Sequence, residues 1–540
     1  MNNYKNVHQY KVKMINKNYI FIFSLLTFVW LSISCKVTQT TASEINANSL
    51  PNIIVILADD LGYGDISIYD KNNKIKTVNI DKLAMEGMRF TDAHTPSSVC
   101  TPTRYGLLTG RYNWRTKLKR GVLNGKSKAL IPNSRTTIGS LLQKKGYHTA
   151  FIGKWHLGWD WALKDETKVV KDRADFSNID FTKEVKNTPN DLGFDYSYGH
   201  CGSLDMAPYV YVENGKVTEA PDTITENTGK YSWWRKGPTS KDFIHDDVTP
   251  NFFRRGIQYI KEQSKKSNPF LLYLPLPSPH TPILPTKEWQ GKSGLNPYGD
   301  FMLMIDNHVG GLLEAVEKAG ISDNTIIIFT SDNGCSPAAK IKELIKKGHY
   351  PNSIYRGHKA DIHEGGHRVP FIIRWPKEIK NGSISNETIC LTDLMATFAE
   401  ITDSDLKANE GEDSYSLLPI LKNNTFTSPV REATVHHSIL GNFAIRKGEW
   451  KLIICPGSGG WSFPGPKKPE TIKDLPKIQL YNLSNDPTES INLESAEPEK
   501  VAELKLLLSK YISEGRSTPG EIQKNDPINF KWKQIDFIEN

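Results

Sequence analysis

Four apolar runs in this chain stop abruptly at chemically capable residues. "NIIVILADD" runs from Asn52 into Asp59 and Asp60, and "TAFIGKWH" from Thr149 into Lys154 and His156. "PFLLYLPLPSPH" runs from Pro269 into His280, and "TIIIFTSDNG" from Thr325 into Asp332, Asn333 and Gly334. Continuous runs of this kind predict strands buried on both faces of a parallel or mixed sheet. Between them the apolar spacing becomes helical. "NIDKLAMEG" (79–87), "TTIGSLLQKKG" (136–146) and "VGGLLEAVEKAG" (309–320) each end at glycine, the common residue just past a helix end. Strands alternating with helices predict an α/β sandwich. Ligands in such sheets bind beyond the carboxyl ends of the strands. An Asp-Asp pair after one strand reads as a turn, and a lone histidine as a satisfied or surface residue. Seven such residues at four strand ends are predicted to converge on one site.

Near Pro429 the pattern changes. "EATVHHSILGNFAIRKGEWKLIIC" alternates like paired strands with a turn at "RKGEW", and "PEKVAELKLLLSKYISEG" is helical. The expected organisation is a catalytic domain over 51–429 and a small antiparallel α+β domain over 430–540. The loop "CPGSGGWSFPGPKKP" (455–469) is too long for a mere connector.

The N-terminus follows a third pattern. Lys5, Lys11, Lys13 and Lys17 precede the apolar run "YIFIFSLLTFVWLSIS", which ends at Cys35. A basic stretch, an apolar stretch and a small residue before the break predict an export signal over 1–35, with 36–50 as a polar tether. Cys35 after "LSIS" resembles a lipoprotein cleavage site, although Leu31 lies one place further from the cysteine than in the usual pattern. Plain secretion with cleavage nearby is the other reading. Either predicts an exported protein of the periplasm or cell surface. A lipid on Cys35 would add an anchor to the outer membrane.

Composition narrows the function classes. At 540 residues, 38% hydrophobic and 24% charged, the chain is an ordinary globular one. Losing residues 1–35 removes four lysines and no acid, lowering the formal charge from +8 to +4. That balance is too mild to predict a nucleic-acid partner. The six cysteines form no zinc pattern. In an exported chain some of Cys201, Cys335, Cys390 and Cys455 could pair.

Asp59, Asp60, Asp332 and Asn333 offer only oxygen, which selects a hard divalent cation, Ca²⁺ or Mg²⁺. Arg104, Lys154, His156, His280 and Lys359 would surround it with positive charge. A metal ringed by cations suits a tetrahedral sulfate or phosphate ester. Cys100 opens "CTPTRYGLLTG", where Pro102 fits a first helical turn and Gly110 a stop. A thiolate at that helix start would be activated. No base is adjacent in sequence, however, and soft sulfur suits a hard metal poorly.

"CTPTRYGLLTG" resembles the signature of the formylglycine-dependent sulfatases. "PNIIVILADDLGYGD", "GYHTAFIGKWHLG", "PSPHTP", "TSDNG", "RGHKADIHEGGHRVPFIIRWP" (356–376) and "LYNLSNDPTESINL" (480–493) resemble that family's other segments, in order. The resemblance implies an alkaline-phosphatase-like fold with a central mixed, mostly parallel sheet. It implies that a formylglycine-generating or anaerobic sulfatase-maturating enzyme converts Cys100 to formylglycine (3-oxoalanine), whose hydrate attacks sulfur. By motif, Asp59, Asp60, Asp332, Asn333 and the modified Cys100 would hold one cation, Ca²⁺ before Mg²⁺. Arg104 would steady the hydrate, and Lys154 and Lys359 would bind sulfate. His280 would protonate the leaving oxygen and His156 would take a proton as sulfate is expelled. His200, Asp205, His436 and His437 are expected at the pocket rim, touching sugar hydroxyls. His358, His363 and His367 are expected at the surface or behind the site.

The expected substrate is a sulfated polysaccharide or its oligosaccharides, algal (ulvan or carrageenan) before glycosaminoglycan. Two alternatives stand. One is a phosphatase, phosphodiesterase or phosphonate hydrolase of the same superfamily. The other is a non-catalytic glycan-binding relative, should Cys100 stay unconverted.

Overall fold

The computed structural model describes residues 50–168, 172, 174–422, 429–528, 530–532 and 535–536. The export segment, Cys35 and the tether up to residue 49 lie outside them. Among the described residues no helix is long and apolar enough to cross a membrane.

A ten-stranded sheet forms the centre. Five of its strands run parallel as neighbours: Thr325–Ser331, Asn52–Asp59, Phe270–Pro279, His148–Lys154 and Tyr196–His200. The first four are the apolar runs of the sequence, and one edge of the sheet therefore gathers all four chemical ends. The flanks are mixed. Phe371–Arg374 pairs antiparallel with Thr325–Ser331, and Val212–Glu213 with Tyr196–His200.

Alternate residues of Asn52–Asp59 enter two different cores, which is why its pattern is continuous. Ile53, Val55 and Leu57 pack with Leu107, Leu108 and Leu394. These belong to the face carrying helices Cys100–Thr109 and Leu394–Ile401. Ile54 and Ile56 pack with Ile80, Phe252 and Ile305, from helices Val78–Met85, Val248–Gln263 and Pro297–Lys318 on the other face. Burying an aliphatic side chain of this size stabilises the fold by roughly 1.5–3 kcal/mol, so the sandwich has no register in which a run could slip outward.

A separate antiparallel sheet of four strands, Thr434–His437, Phe443–Lys447, Trp450–Ile453 and Gln479–Asn482, lies near the C-terminus. The turn expected at "RKGEW" joins its second and third strands, with Gly448 at φ 55°. Helix Pro498–Ser513 covers one face through Leu504, Leu508 and Tyr511. The long loop after Ile453 braces the Lys359 segment. Ile362 N–H donates to Ser458 O (2.9 Å), and Trp461 N–H to Asp361 Oδ1 (2.7 Å).

Candidate active site

Two strand ends turn sharply to deliver their residues. Asp60 (φ 66°) and His156 (φ 56°) adopt left-handed backbone, uncommon outside glycine and tolerated best by Asp, Asn and His. The chain leaves the sheet at once, and both side chains stay buried at its edge.

Cys100 is the first residue of the helix Cys100–Thr109. Val99 before it supplies no side-chain cap, which leaves the opening N–H groups without a partner from that residue. Gly110 closes the helix at φ 63°, as its position predicts. Burial pushes the Cys100 thiol up to about 12, although Lys154 and Lys359 pull the other way. A thiol held in that form is a poor nucleophile.

Arg104, on the same helix, is fully buried and spends its donors on the scaffold. Its Nε and Nη2 donate to Asp332 Oδ2 (3.0 and 2.9 Å), and Nη2 also to Asp59 Oδ2 (3.3 Å). Its Nη1 donates to Lys154 O (2.8 Å). Arg104 thus fixes two carboxylates rather than reaching into the site. Lys154 pairs with Asp59 and donates to Ser203 Oγ (3.0 Å), and Lys359 pairs with Asp60 Oδ1 at 2.6 Å. Burial pushes the Asp59 carboxyl up, but Lys154, His280 and Arg104 outweigh it and hold it well below its usual range.

Several acceptors here have no protein partner. Asp59 Oδ1, Asp60 Oδ2 and Asn333 Oδ1 are buried and unbonded, a costly state unless a ligand satisfies them. Three orphaned oxygens on hard-donor residues fit a Ca²⁺- or Mg²⁺-type cation. Ligand atoms of Asp59, Asp60, Cys100 and His280 all lie within 4.8 Å of one another. Asp332 is more committed: Oδ1 accepts from Asp60 N–H (3.2 Å) and Oδ2 from Arg104.

The two histidines differ. His156 Nε2 bonds the Leu123 carbonyl (2.9 Å), which puts the proton on Nε2 and leaves Nδ1, buried and unpartnered, as a free base. Burial, then Lys154 and Arg104, keep it neutral by lowering its pKa well below the usual value. His280 Nδ1 donates to Thr281 O (2.5 Å), while Nε2 lies 3.6 Å from Asp60 Oδ2. Burial and the Lys359 charge lower its pKa as well. Ser203 Oγ lies 3.3 Å from His280 and so bridges it to Lys154. The sequence carried no signal that singled out this serine.

The expected rim residues divide. Asp205 is nearly buried, ion-paired to Arg235, with Oδ1 unpartnered. His200 packs flat on Phe252 (5.8 Å), and burial lowers its pKa to about 3. His436 and His437 are not rim residues. Their strand is covered on both sides, leaving them 0% and 1% exposed. His436 bonds Thr95 O and stacks on His367, and His437 packs edge-on against Phe443. His363 and His367 are equally buried rather than at the surface, and His358 is half-buried beside Asp361. Cys201, Cys335, Cys390 and Cys455 are free and buried, so none pairs with another.

The sulfatase family profile matches residues 51–404. N-acetylgalactosamine-6-O-sulfatase of Bacteroides thetaiotaomicron is 33% identical over 533 residues, covering 91% of this chain and 99% of its own. Human arylsulfatase A is 30% identical over 477 residues, covering 85% and 87%. A solved structure from work on glycosaminoglycan metabolism by B. thetaiotaomicron superposes with TM-score 0.74 at 31% identity, covering 86% of this chain and 99% of that one. A structure solved in complex with neocarrahexaose shares the fold, with TM-score 0.64 at 24% identity over 88% and 95% of the two chains.

Proposed function

Because the chain belongs to the sulfatase family and is an enzyme that hydrolyses sulfate esters, we propose that it desulfates 6-O-sulfated N-acetylgalactosamine within a sulfated glycan, using formylglycine at position 100. The observation that carries this is the set of orphaned oxygens on Asp59, Asp60 and Asn333, ringed by Arg104, Lys154 and Lys359 beside Cys100. The choice of sugar rests on the relative at 33% identity. The carrageenan-type neighbour, at 24%, speaks for the fold alone.

Asp59, Asp60, Asn333 and, behind them, Asp332 would hold the divalent cation, Ca²⁺ before Mg²⁺, which when bound supplies positive charge for a sulfate oxygen and the nucleophile. Formylglycine, made from Cys100 by a maturation enzyme, supplies a hydrate oxygen in place of an inert thiol. Lys154 and Lys359 are the point charges that receive the remaining sulfate oxygens. Arg104 keeps Asp59 and Asp332 in place. His280 protonates the departing sugar oxygen. Burial and Lys359 oppose its protonation, and an arriving sulfate anion favours it. His156, with Nδ1 free, accepts the proton of the second hydroxyl as sulfate leaves. Export to the periplasm or cell surface belongs to the same proposal, supported by the basic and apolar N-terminus.

Cys100→Ala should release no sulfate from N-acetylgalactosamine 6-sulfate while unfolding cooperatively like the wild type. The mass of the wild-type peptide 90–111 should show that Cys100 has lost its sulfur. Substantial turnover by the alanine variant would overturn the formylglycine mechanism. An unmodified, inactive wild type would favour a non-catalytic glycan binder.

A further inference from the structure

A cavity of about 290 Å³ opens beside the reaction centre, lined by Leu123, Asn124, Phe176, Met206, Arg235 and Lys236 among others. Its two inner loops are both anchored in that centre. Leu123 lends its carbonyl to His156 Nε2 (2.9 Å). Two residues before Asp205, Ser203 bonds Lys154 (3.0 Å) and approaches His280 (3.3 Å). The volume lies at the small end of ligand-sized cavities, room for a sugar unit rather than a polymer.

The lining has a definite sign. Its described residues include two cations, Arg235 and Lys236, and no acid. Arg235 is held in place: Nη1 pairs with Asp205 Oδ2 and donates to Asp205 O (3.0 Å), its own carbonyl accepts from Tyr209 Oη (2.6 Å), and the guanidinium lies 4.9 Å over Trp233. Half of its side chain nevertheless remains exposed. Asp205, 95% buried, keeps Oδ1 without a partner. A fixed, half-open guanidinium on the lining is a reader for an anionic group. The apolar floor of Leu123, Phe176 and Met206 suits the face of a sugar ring.

We infer that this cavity binds the sugar adjoining the scissile residue, with Arg235 and Lys236 recognising an anionic group on it and Asp205 holding the Arg235 guanidinium in place from behind the lining. The anion is a carboxylate or a sulfate, since a guanidinium fork matches either. This rests on the proposed function and makes Arg235 a specificity residue rather than a participant in the chemistry.

The test compares kcat/KM on four substrates: N-acetylgalactosamine 6-sulfate, and disaccharides in which that residue adjoins a uronate, a sulfated neutral hexose or an unsulfated neutral hexose. The wild type should prefer at least one anionic disaccharide over the neutral one, and which one identifies the anion. In Arg235→Ala, the ratio of kcat/KM on that disaccharide to kcat/KM on the monosaccharide should fall by roughly tenfold or more, carried by KM, as expected for losing a charge-assisted hydrogen bond. Lys236→Ala, on the exposed side, should lower the same ratio less. Arg235→Lys should recover part of it. Equal losses on monosaccharide and disaccharide, or no wild-type preference for an anionic neighbour, would overturn the inference while leaving the sulfatase reading intact. No sulfate release from any substrate by the modified wild type would overturn both.

Discussion

His280 and His156 sit on opposite sides of the reaction in time, and a pair of substrates separates them. A sugar alkoxide leaves only with a proton, whereas a nitrophenolate departs unaided. General acid catalysis contributes roughly 10²–10⁴-fold, so His280→Ala should lose about that much on a sulfated sugar and markedly less on nitrophenyl sulfate. His156→Ala should lose activity on both, because its free Nδ1 acts after departure. Equal losses for His280→Ala on the two esters would reduce it to a sulfate-binding residue. The residues at strand ends were legible because a buried strand ending in Asp, Asn, Lys or His has no structural use for them. The burial of His436 and His437 is hidden in the sequence for a related reason. Both faces of their strand are covered, and no local pattern reveals that a second layer lies over an alternating strand. Ser203 and Arg235 were silent too, since an isolated serine or arginine in a loop carries no period.

At the scale of elements, the delivery of Lys154 depends on unusually close strands. Gly153 has φ 148°, and a Cβ there would lie 2.0 Å from Pro275 O. A Cβ on Gly199, its neighbour on the next strand, would lie 1.9 Å from Gly153 O. Backbone stands against backbone across three strands, and no rotamer change relieves it. Gly153→Ala should cost about 1–3 kcal/mol of stability and, by displacing Lys154, lower sulfate release disproportionately. Urea midpoints and turnover measured together check this; an alanine variant with unchanged activity would remove the close packing from the account. The strands and the ends of helices at glycine were readable in advance. The helix Val248–Gln263 was not, and Pro297–Lys318 starts well before the stretch its glycine stop announced. The register step at the chemical edge, where Leu57 faces Pro275 but Asp59 faces Pro279, arises where the "PLPSP" prolines withhold N–H donors. Only the assembled sheet shows how far it shifts.

Across the whole molecule, the C-terminal sheet is fastened to the catalytic sheet by a buried polar lock. Lys451 Nζ lies between Glu364 (3.0 Å), Glu489 (2.8 Å) and His367 Nε2 (2.9 Å). A lysine only donates, so His367 accepts from it at Nε2 and carries its proton on Nδ1, which meets His94 Nδ1 (3.1 Å); His94 Nε2 in turn meets both Asp92 (2.9 Å) and the Arg446 guanidinium (2.8 Å). Every ring nitrogen of His94, His367 and His436 is bonded within the protein, so the trio is tied into the lock from both ends of each ring. The same sheet braces the nucleophile loop, with Ser98 N–H on His437 O (2.9 Å). Folding therefore excludes protons that the unfolded chain would bind. Burial, then Lys119, lowers His437 to about 3, against about 6.5 unfolded. A folded pKa below the unfolded one means stability present above pH 6.5 and lost as pH falls toward 3. Glu489, raised to about 7 by burial, acts in the opposite direction over the upper part of that window, so a single-site comparison isolates the effect. His437→Phe replaces a ring whose Nε2 is unpartnered and which already packs 4.3 Å from Phe443. Between pH 8 and pH 5 the wild type should lose about 2 kcal/mol more than this variant, read as diverging urea midpoints. Parallel stability curves for the two proteins would show that His437 takes no part in the acid sensitivity of the lock.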